Sequence, residues 1–247
     1  MNIIAVEASK GGVGKTTTAV NLAAAAARDG RKVLLVDGDP QGNSGVMLGQ
    51  QDEVENNIMA VMDGDKPMVD VIIHSLYGID FAPAPAQARF TAVEQNPDDL
   101  SRALAQVADK YDLCIIDLGP GFSALTVNAL VAANFVLIPT QADVNAVKSV
   151  QDTDELLTMA RQINPDLQLL GVLLTRWRSR DRLQTAMADV FSAWQERGIR
   201  VLDTKIQECT GLRQAAAAQR PIYDFAKSSV GVADYTALWT EIKQYIE

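Results

Sequence analysis

Lys10-Gly11-Gly12-Val13-Gly14-Lys15-Thr16-Thr17 packs three glycines, two ammonium groups and two hydroxyls into eight residues. That mixture suits one task, which is holding a polyphosphate. Glycines let backbone N–H groups turn inward around phosphate oxygens, and a helix start just behind them adds partial positive charge. Lys15 can reach the β- and γ-phosphates, and the Thr16 hydroxyl can ligate Mg²⁺. The common pattern is G-x-x-x-x-G-K-[ST]. Here Ser9 stands at its first glycine, and Lys10 precedes the glycine pair. Two lysines exceed what one triphosphate's cradle needs. Lys10 suits either a nucleotide held in a partner subunit or a solvated loop edge.

Two further stretches add carboxylates. Val36-Asp37-Gly38-Asp39-Pro40-Gln41-Gly42 closes an apolar run. Its two acids, one residue apart, suit outer contacts to Mg²⁺ and orientation of an attacking water, although Asp and Gly are also common in plain turns. Tyr111 to Asp117 is an apolar run ending in an acid, the Walker-B pattern of an Asp aimed at Mg²⁺. Gly119-Pro120-Gly121 follows as a turn able to sense a γ-phosphate.

Such loops need strands and helices to position them. Apolar runs at 3–6, 32–36, 113–116, 135–138 and 167–174 read as strands. Helical patterns fall at 16–28, 98–110, 123–133, 144–163, 183–197 and 229–246. Continuous apolar strands imply a sheet covered on both faces. Strand–helix alternation then predicts an α/β fold, a mostly parallel twisted sheet flanked by helices. No linker divides the chain, so one domain over 1–247 is expected, with 51–97 its least regular part and a hairpin around Val71–Phe81.

Composition excludes several classes. With 247 residues, 48% hydrophobic and 21% charged, the chain is neither disordered nor fibrous. Its longest apolar stretch, Leu130 to Ile138, is far short of a membrane span. The start MNIIAVEASKGG has no secretory character. Two cysteines and one histidine cannot build a disulfide framework or a His-based metal site, so a reducing, cytoplasmic setting is expected. Net charge is −9, yet residues 171–247 hold 11 Lys/Arg against 9 Asp/Glu, which leaves room for a local basic patch.

Taken together, Lys10 to Thr17, Asp37 to Gln41 and Asp117 resemble the deviant Walker-A, A′ and Walker-B motifs of the ParA/MinD group of P-loop ATPases. GRKVLLVDGDPQGN, LTVNALVAANFVLIPTQAD and NPDLQLLGVLLTRW look like the ParA branch. The resemblance implies ATP and Mg²⁺ at the strand C-termini and ATP sandwiched in a homodimer. It makes Lys10 the signature lysine that crosses to the partner's phosphates, Asp39 the acid that orients water, and Thr16, Asp37 and Asp117 the groups around Mg²⁺. Thr175 and Arg176 fall where the family places base contacts. The resemblance also implies non-specific binding to double-stranded DNA, an adaptor of the ParB type that stimulates hydrolysis, and a nucleoid location. Arg180 falls where relatives carry a DNA-contacting arginine. Arg178 belongs to the same cluster, and Arg213 lies two residues from another such position. Two departures weaken parts of this. Asp117-Leu118-Gly119-Pro120 replaces Asp-x-Pro-Pro, and Ile206-Gln207-Glu208 replaces Ile-Pro-Arg, which leaves an adenine contact around 206–209 and part of the basic surface open. With no domain before the first strand, operator binding is not expected.

Rival readings meet specific obstacles. A MinD-like membrane ATPase needs a basic amphipathic C-terminus, but 233–247 has one Lys and three acids. No membrane partner is expected, and Leu238, Trp239, Ile242 and Tyr245 are expected to pack onto the body. An iron–sulfur relative needs bridging cysteines, whereas Cys114 reads as core and Cys209 stands alone. A kinase-like or synthetase relative would keep the ATP site and add a substrate pocket. A positioning ATPase with a protein cargo remains the alternative to DNA partition. His74 and Trp194 read as structural or surface residues.

Overall fold

A computed structural model of the chain describes residues 1–50, 56–84, 96–121, 123–143, 146–178 and 187–246. Eight strands form one sheet: β1 (Asn2–Val6), β2 (Val33–Gly38), β3 (Ile73–His74), β4 (Ile79–Ala82), β5 (Leu113–Leu118), β6 (Phe135–Gln141), β7 (Gln168–Trp177) and β8 (Val201–Gln207). Their order is β3-β4-β2-β5-β1-β6-β7-β8. All neighbours are parallel except the β3–β4 hairpin, which falls within the expected stretch 71–81. The chain runs from β1 to one side of the sheet and returns past it to β6 on the other. Ligands of open α/β sheets bind at such a reversal, beyond the strand C-termini.

The described helices are α1 (Lys15–Arg28), α2 (Asn43–Met47), α3 (Ile58–Met62), α4 (Asp99–Ala105), α5 (Ala124–Ala132), α6 (Ala146–Ala160), α7 (Ala188–Glu196), α8 (Thr210–Ala217), α9 (Ile222–Phe225) and α10 (Val230–Ile246). Strand side chains alternate between two cores, as period two requires. Ile4, Val6, Leu35 and Ile115 join the side covered by α1 and α10, while Ala5, Leu34, Ile116 and Ile138 join the side covered by α4, α5 and α6. The alanines of α1 from Ala23 to Ala26 are all buried, and their small side chains let that helix sit close on the sheet.

β8, α2, α3, α8 and α9 carry no expectation from the sequence. Leu238, Trp239 and Ile242 of α10 are buried as expected, but Tyr245 is 47% exposed and faces outward. Its ring lies under the Arg200 guanidinium at 3.8 Å, an arrangement that keeps the hydroxyl wet while using the ring face. His74 is exposed and pairs with Asp80. Trp194 and Cys114 are core. Among the described residues no helix is long and apolar enough to cross a membrane.

One side chain closes the path from α5 into β6. The Asn164 amide nitrogen donates to the carbonyls of Leu130, Val131 and Ala133 at 3.2, 3.0 and 2.8 Å. Those are carbonyls that a helix end leaves over. Asn164→Ala should therefore lower stability by about 1–2 kcal/mol, read as a lower urea midpoint at unchanged slope.

Candidate nucleotide site

β1 hands directly into the glycine loop, and the loop hands into α1. Gly12 (φ 76°) and Gly14 (φ 93°) adopt left-handed backbone that residues with a Cβ resist. No side chain caps α1, so its first-turn N–H groups remain for an anion. The loop's carbonyls are engaged from outside. Gln141 donates to Gly12 O (2.9 Å), and the Thr175 hydroxyl reaches Val13 O (2.7 Å). Lys15 is 7% exposed, and its ammonium bends back onto the carbonyls of Ala8 (3.0 Å) and Lys10 (3.4 Å). Burial depresses its pKa, opposed by Glu7, Asp117 and Asp39.

The acids come from neighbouring strand ends. Register pairs Asp37 with Asp117, and Val6 with Asp117 as well, so Glu7 follows one step on. All three carboxylates are fully buried. Both oxygens of Asp37 accept backbone N–H groups, from Asp39 (3.0 Å), Ser44 (3.1 Å) and Gly45 (3.3 Å). Asp37 thus shapes the loop into α2. Burial, with Asp117 beside it, pushes its pKa up. Asp117 accepts the Ser44 hydroxyl on one oxygen (2.7 Å), and its other oxygen, Oδ1, has no partner. Burial raises Asp117 to about 6, although hydrogen bonds from Ser44 and Thr16 pull it down.

Asp39 lines a cleft of about 370 Å³ together with Lys15, Thr16, Asn43 and Pro120. Gly119 explains the local departure from Asp-x-Pro-Pro. A Cβ there would lie 3.3 Å from the Asp39 carboxyl, so glycine leaves room for it. Lys10 is not a plain solvated lysine. Its ammonium pairs with Asp143 at 2.5 Å, and Ser9 beside it reaches Ser149 and Asp152 on α6 at 3.4 Å.

A second cavity, of about 310 Å³, adjoins the first through Gly12, Gly14 and Thr17. Thr175 and Arg176 line it, and so do Gln207 and Glu208. Arg213 is exposed at the same cavity, beside the phosphate loop. Arg178 lies outside it and is ion-paired to Glu208. Arg180 lies outside the described residues.

The profile of the family AAA_31, described as an AAA domain, matches residues 1–169. A chromosome-partitioning ATPase Soj of Thermus thermophilus is 36% identical over 99% of this chain and 96% of its own. A chromosome partitioning protein ParA of Myxococcus xanthus is 34% identical over 97% of this chain and 87% of its own. The chain belongs to the ParA family of P-loop ATPases. Among solved structures, this ParA-family chain resembles a cobyrinic acid a,c-diamide synthase of Mycobacterium smegmatis holding an ATP analogue and magnesium. The TM-score there is 0.83 at 31% identity, covering all of this chain and 96% of the other.

Glu7 was missed in the sequence, although a lone acid ending an apolar strand is itself a signal. Neither of its carboxylate oxygens has a hydrogen-bond partner, and burial pushes its pKa up to about 8. The folded chain therefore binds a proton that the unfolded chain, near 4.5, gives up. Its stability contribution is full below about 4.5 and is lost as pH rises through about 8. Asp117 acts in the same sense at lower pH. The nucleotide-free protein should melt at lower temperature at pH 8.5 than at pH 6. Glu7→Gln should flatten that slope, by on the order of a few kcal/mol across the window. An unchanged pH profile of melting temperature would show that Glu7 does not titrate there.

Proposed function

We propose that this chain is a partition ATPase. It binds ATP with Mg²⁺, pairs with a second copy across the nucleotide, and binds duplex DNA without reading its sequence. It hydrolyses ATP when an adaptor of the ParB type stimulates it, and so moves plasmid or chromosomal DNA along the nucleoid. The observation that carries the reading is the unpartnered, buried Oδ1 of Asp117 beside Thr16 and Lys15. A buried carboxylate oxygen with no donor is a fit place for a divalent cation. Thr16 and Asp117 would hold Mg²⁺, which neutralises charge between phosphate oxygens when bound. Asp37 acts through the loop it fixes. The two adjoining cavities suit the two halves of a nucleotide, with phosphates on the glycine loop and the base against Thr175 and Arg176. The relatives, chromosome-partitioning proteins of similar length, support the cellular role.

Within this reading each polar side chain has one task. Lys15 exchanges the carbonyls of Ala8 and Lys10 for phosphate oxygens. Asp39, at the cleft beside Pro120, orients the attacking water. Lys10 leaves Asp143 to meet the partner's phosphates, replacing one anion by another.

Nucleotide titration and gel filtration test the site. Lys15→Ala should lose a fluorescent ATP analogue by about a hundredfold or more, because backbone N–H groups do not replace a full charge. Unchanged affinity would remove the phosphate-loop assignment. Asp39→Ala should bind ATP, hydrolyse it poorly and collect as a dimer. Lys10→Ala should lose both the dimer and the hydrolysis. Wild-type turnover in Asp39→Ala would end its catalytic role.

DNA binding is tested by fluorescence anisotropy on two unrelated duplexes over a salt series. With ATP and Mg²⁺ the affinity should exceed that with ADP, since a dimer doubles the phosphates engaged. It should fall with salt at about −0.9 in log–log slope per phosphate contact. Arg180→Ala should weaken both duplexes by a similar factor, because phosphate contacts carry no sequence information. Binding indifferent to nucleotide would contradict the gating, and an Arg180→Ala protein equal to wild type would remove that residue.

A further inference from the structure

Glu208 stands where two guanidiniums converge. Its Oε1 accepts from Arg176 at 3.3 Å, and its Oε2 accepts from both Nε and Nη2 of Arg178. The carboxylate side chain is 16% exposed, while those of Arg176 and Arg178 are 55% and 64% exposed. So the acid is tucked beneath two arginines that reach into water. Its backbone is fixed as well, since Glu208 N donates to Trp177 O at 3.0 Å, joining the ends of β7 and β8. Arg176 sits at φ 50°, a left-handed backbone unusual for a residue with a Cβ. The two arginines hold the Glu208 carboxyl below the usual carboxylate range, so it is ionised at neutral pH.

A guanidinium fork does not distinguish strongly between a carboxylate and a phosphate, because both offer paired anionic oxygens at similar spacing. An acid in the same chain is present at high effective concentration, and a DNA phosphate must displace it. We propose that Glu208 is a built-in competitor for phosphate, a specificity-determining residue that sets how many guanidiniums this face offers to a polyanion. In the ion-paired state Glu208 offsets one unit of the positive charge that Arg176 and Arg178 carry to this face. The proposal rests on the reading that the chain binds duplex DNA. It explains how a chain of net charge −9 keeps its non-specific hold on DNA weak enough to release.

The test is anisotropy of the full chain on two unrelated duplexes across a salt series, with ATP and Mg²⁺ saturating each protein. Glu208→Gln should bind both duplexes about tenfold more tightly at low salt. Its log–log salt slope should steepen by about 0.9 per protomer, the signature of one added phosphate contact, from Arg178. Adding Arg178→Ala to Glu208→Gln should return most of that gain. Glu208→Arg should steepen the slope further, and this second variant carries the test if the glutamine protein melts early. A wild type that binds DNA with the same slope as Glu208→Gln and Glu208→Arg overturns the competitor role and leaves the DNA reading standing. Weaker binding by both variants shows a purely structural acid and also overturns it. No binding by any of the proteins overturns the DNA reading, and this inference with it.

Discussion

Three carboxyl groups buried at the ends of adjacent strands, with few donors to cover them, are the constraint around which this molecule is arranged. Glu7, Asp37 and Asp117 are fully buried side by side where β1, β2 and β5 stop. Burying even one carboxylate is costly unless something neutralises it. Here the compensation is partial. Asp37 is covered by three backbone N–H groups, Asp117 on one oxygen only, and Glu7 on none. The single ammonium among them, Lys15, is turned onto loop carbonyls. A stable apolar core would not be built this way. The deficit lies where a divalent cation would meet it, which is the usual sign that stability has been exchanged for a site.

The scaffold resolves a related conflict in the glycine loop. A loop that is to offer N–H groups to an anion must have its carbonyls satisfied elsewhere. β6 supplies Gln141 to Gly12 O, and β7 supplies Thr175 to Val13 O. The side chain of Lys15 covers Ala8 O and Lys10 O. Ser9 and Lys10 are drawn outward toward α6 and Asp143. Three separate elements thus hold the loop by its acceptors, and the donors at the start of α1 stay available. The local sequence makes the loop pliable, and its neighbours give it one shape.

How much of this could be read in advance followed from distance along the chain. The phosphate loop was legible because its parts are contiguous, as were the acids that end β2 and β5, since an apolar run closing in Asp is a local pattern. The second cavity was less so. Thr175 and Arg176 were anticipated, but Gln207, Glu208 and Tyr235 reach them only through β7–β8 pairing and α10. β8 itself escaped notice because VLDTKIQ has no continuous apolar run. It lies at the sheet edge, where only Leu202 and Ile206 are fully buried. Tyr245 misled for the opposite reason, since helical spacing placed it with buried residues while a cation on the adjoining strand region holds it outside. Glu7 carried the same local pattern, an apolar run closing in an acid, but its burial beside Asp117 comes only from β1–β5 pairing.

The two adjoining cavities are built differently. The phosphate loop and the acids beside it are constrained by charge and by backbone geometry at once, and Lys15 and Asp37 each hold more than one partner. The second cavity is lined by side chains from β7, β8 and α8 together with Tyr235 of α10. The strand-end hydrogen bond from Glu208 N to Trp177 O does not depend on the side chain, so the backbone there tolerates other residues. The carboxylate then takes whatever cations stand nearest, and these are Arg176 at the cavity and Arg178 outside it. One backbone-tolerant position therefore touches both the nucleotide cavity and the arginine surface. A change of charge at that position alters how strongly the surface attracts an anion while leaving the phosphate machinery on β1 and α1 untouched.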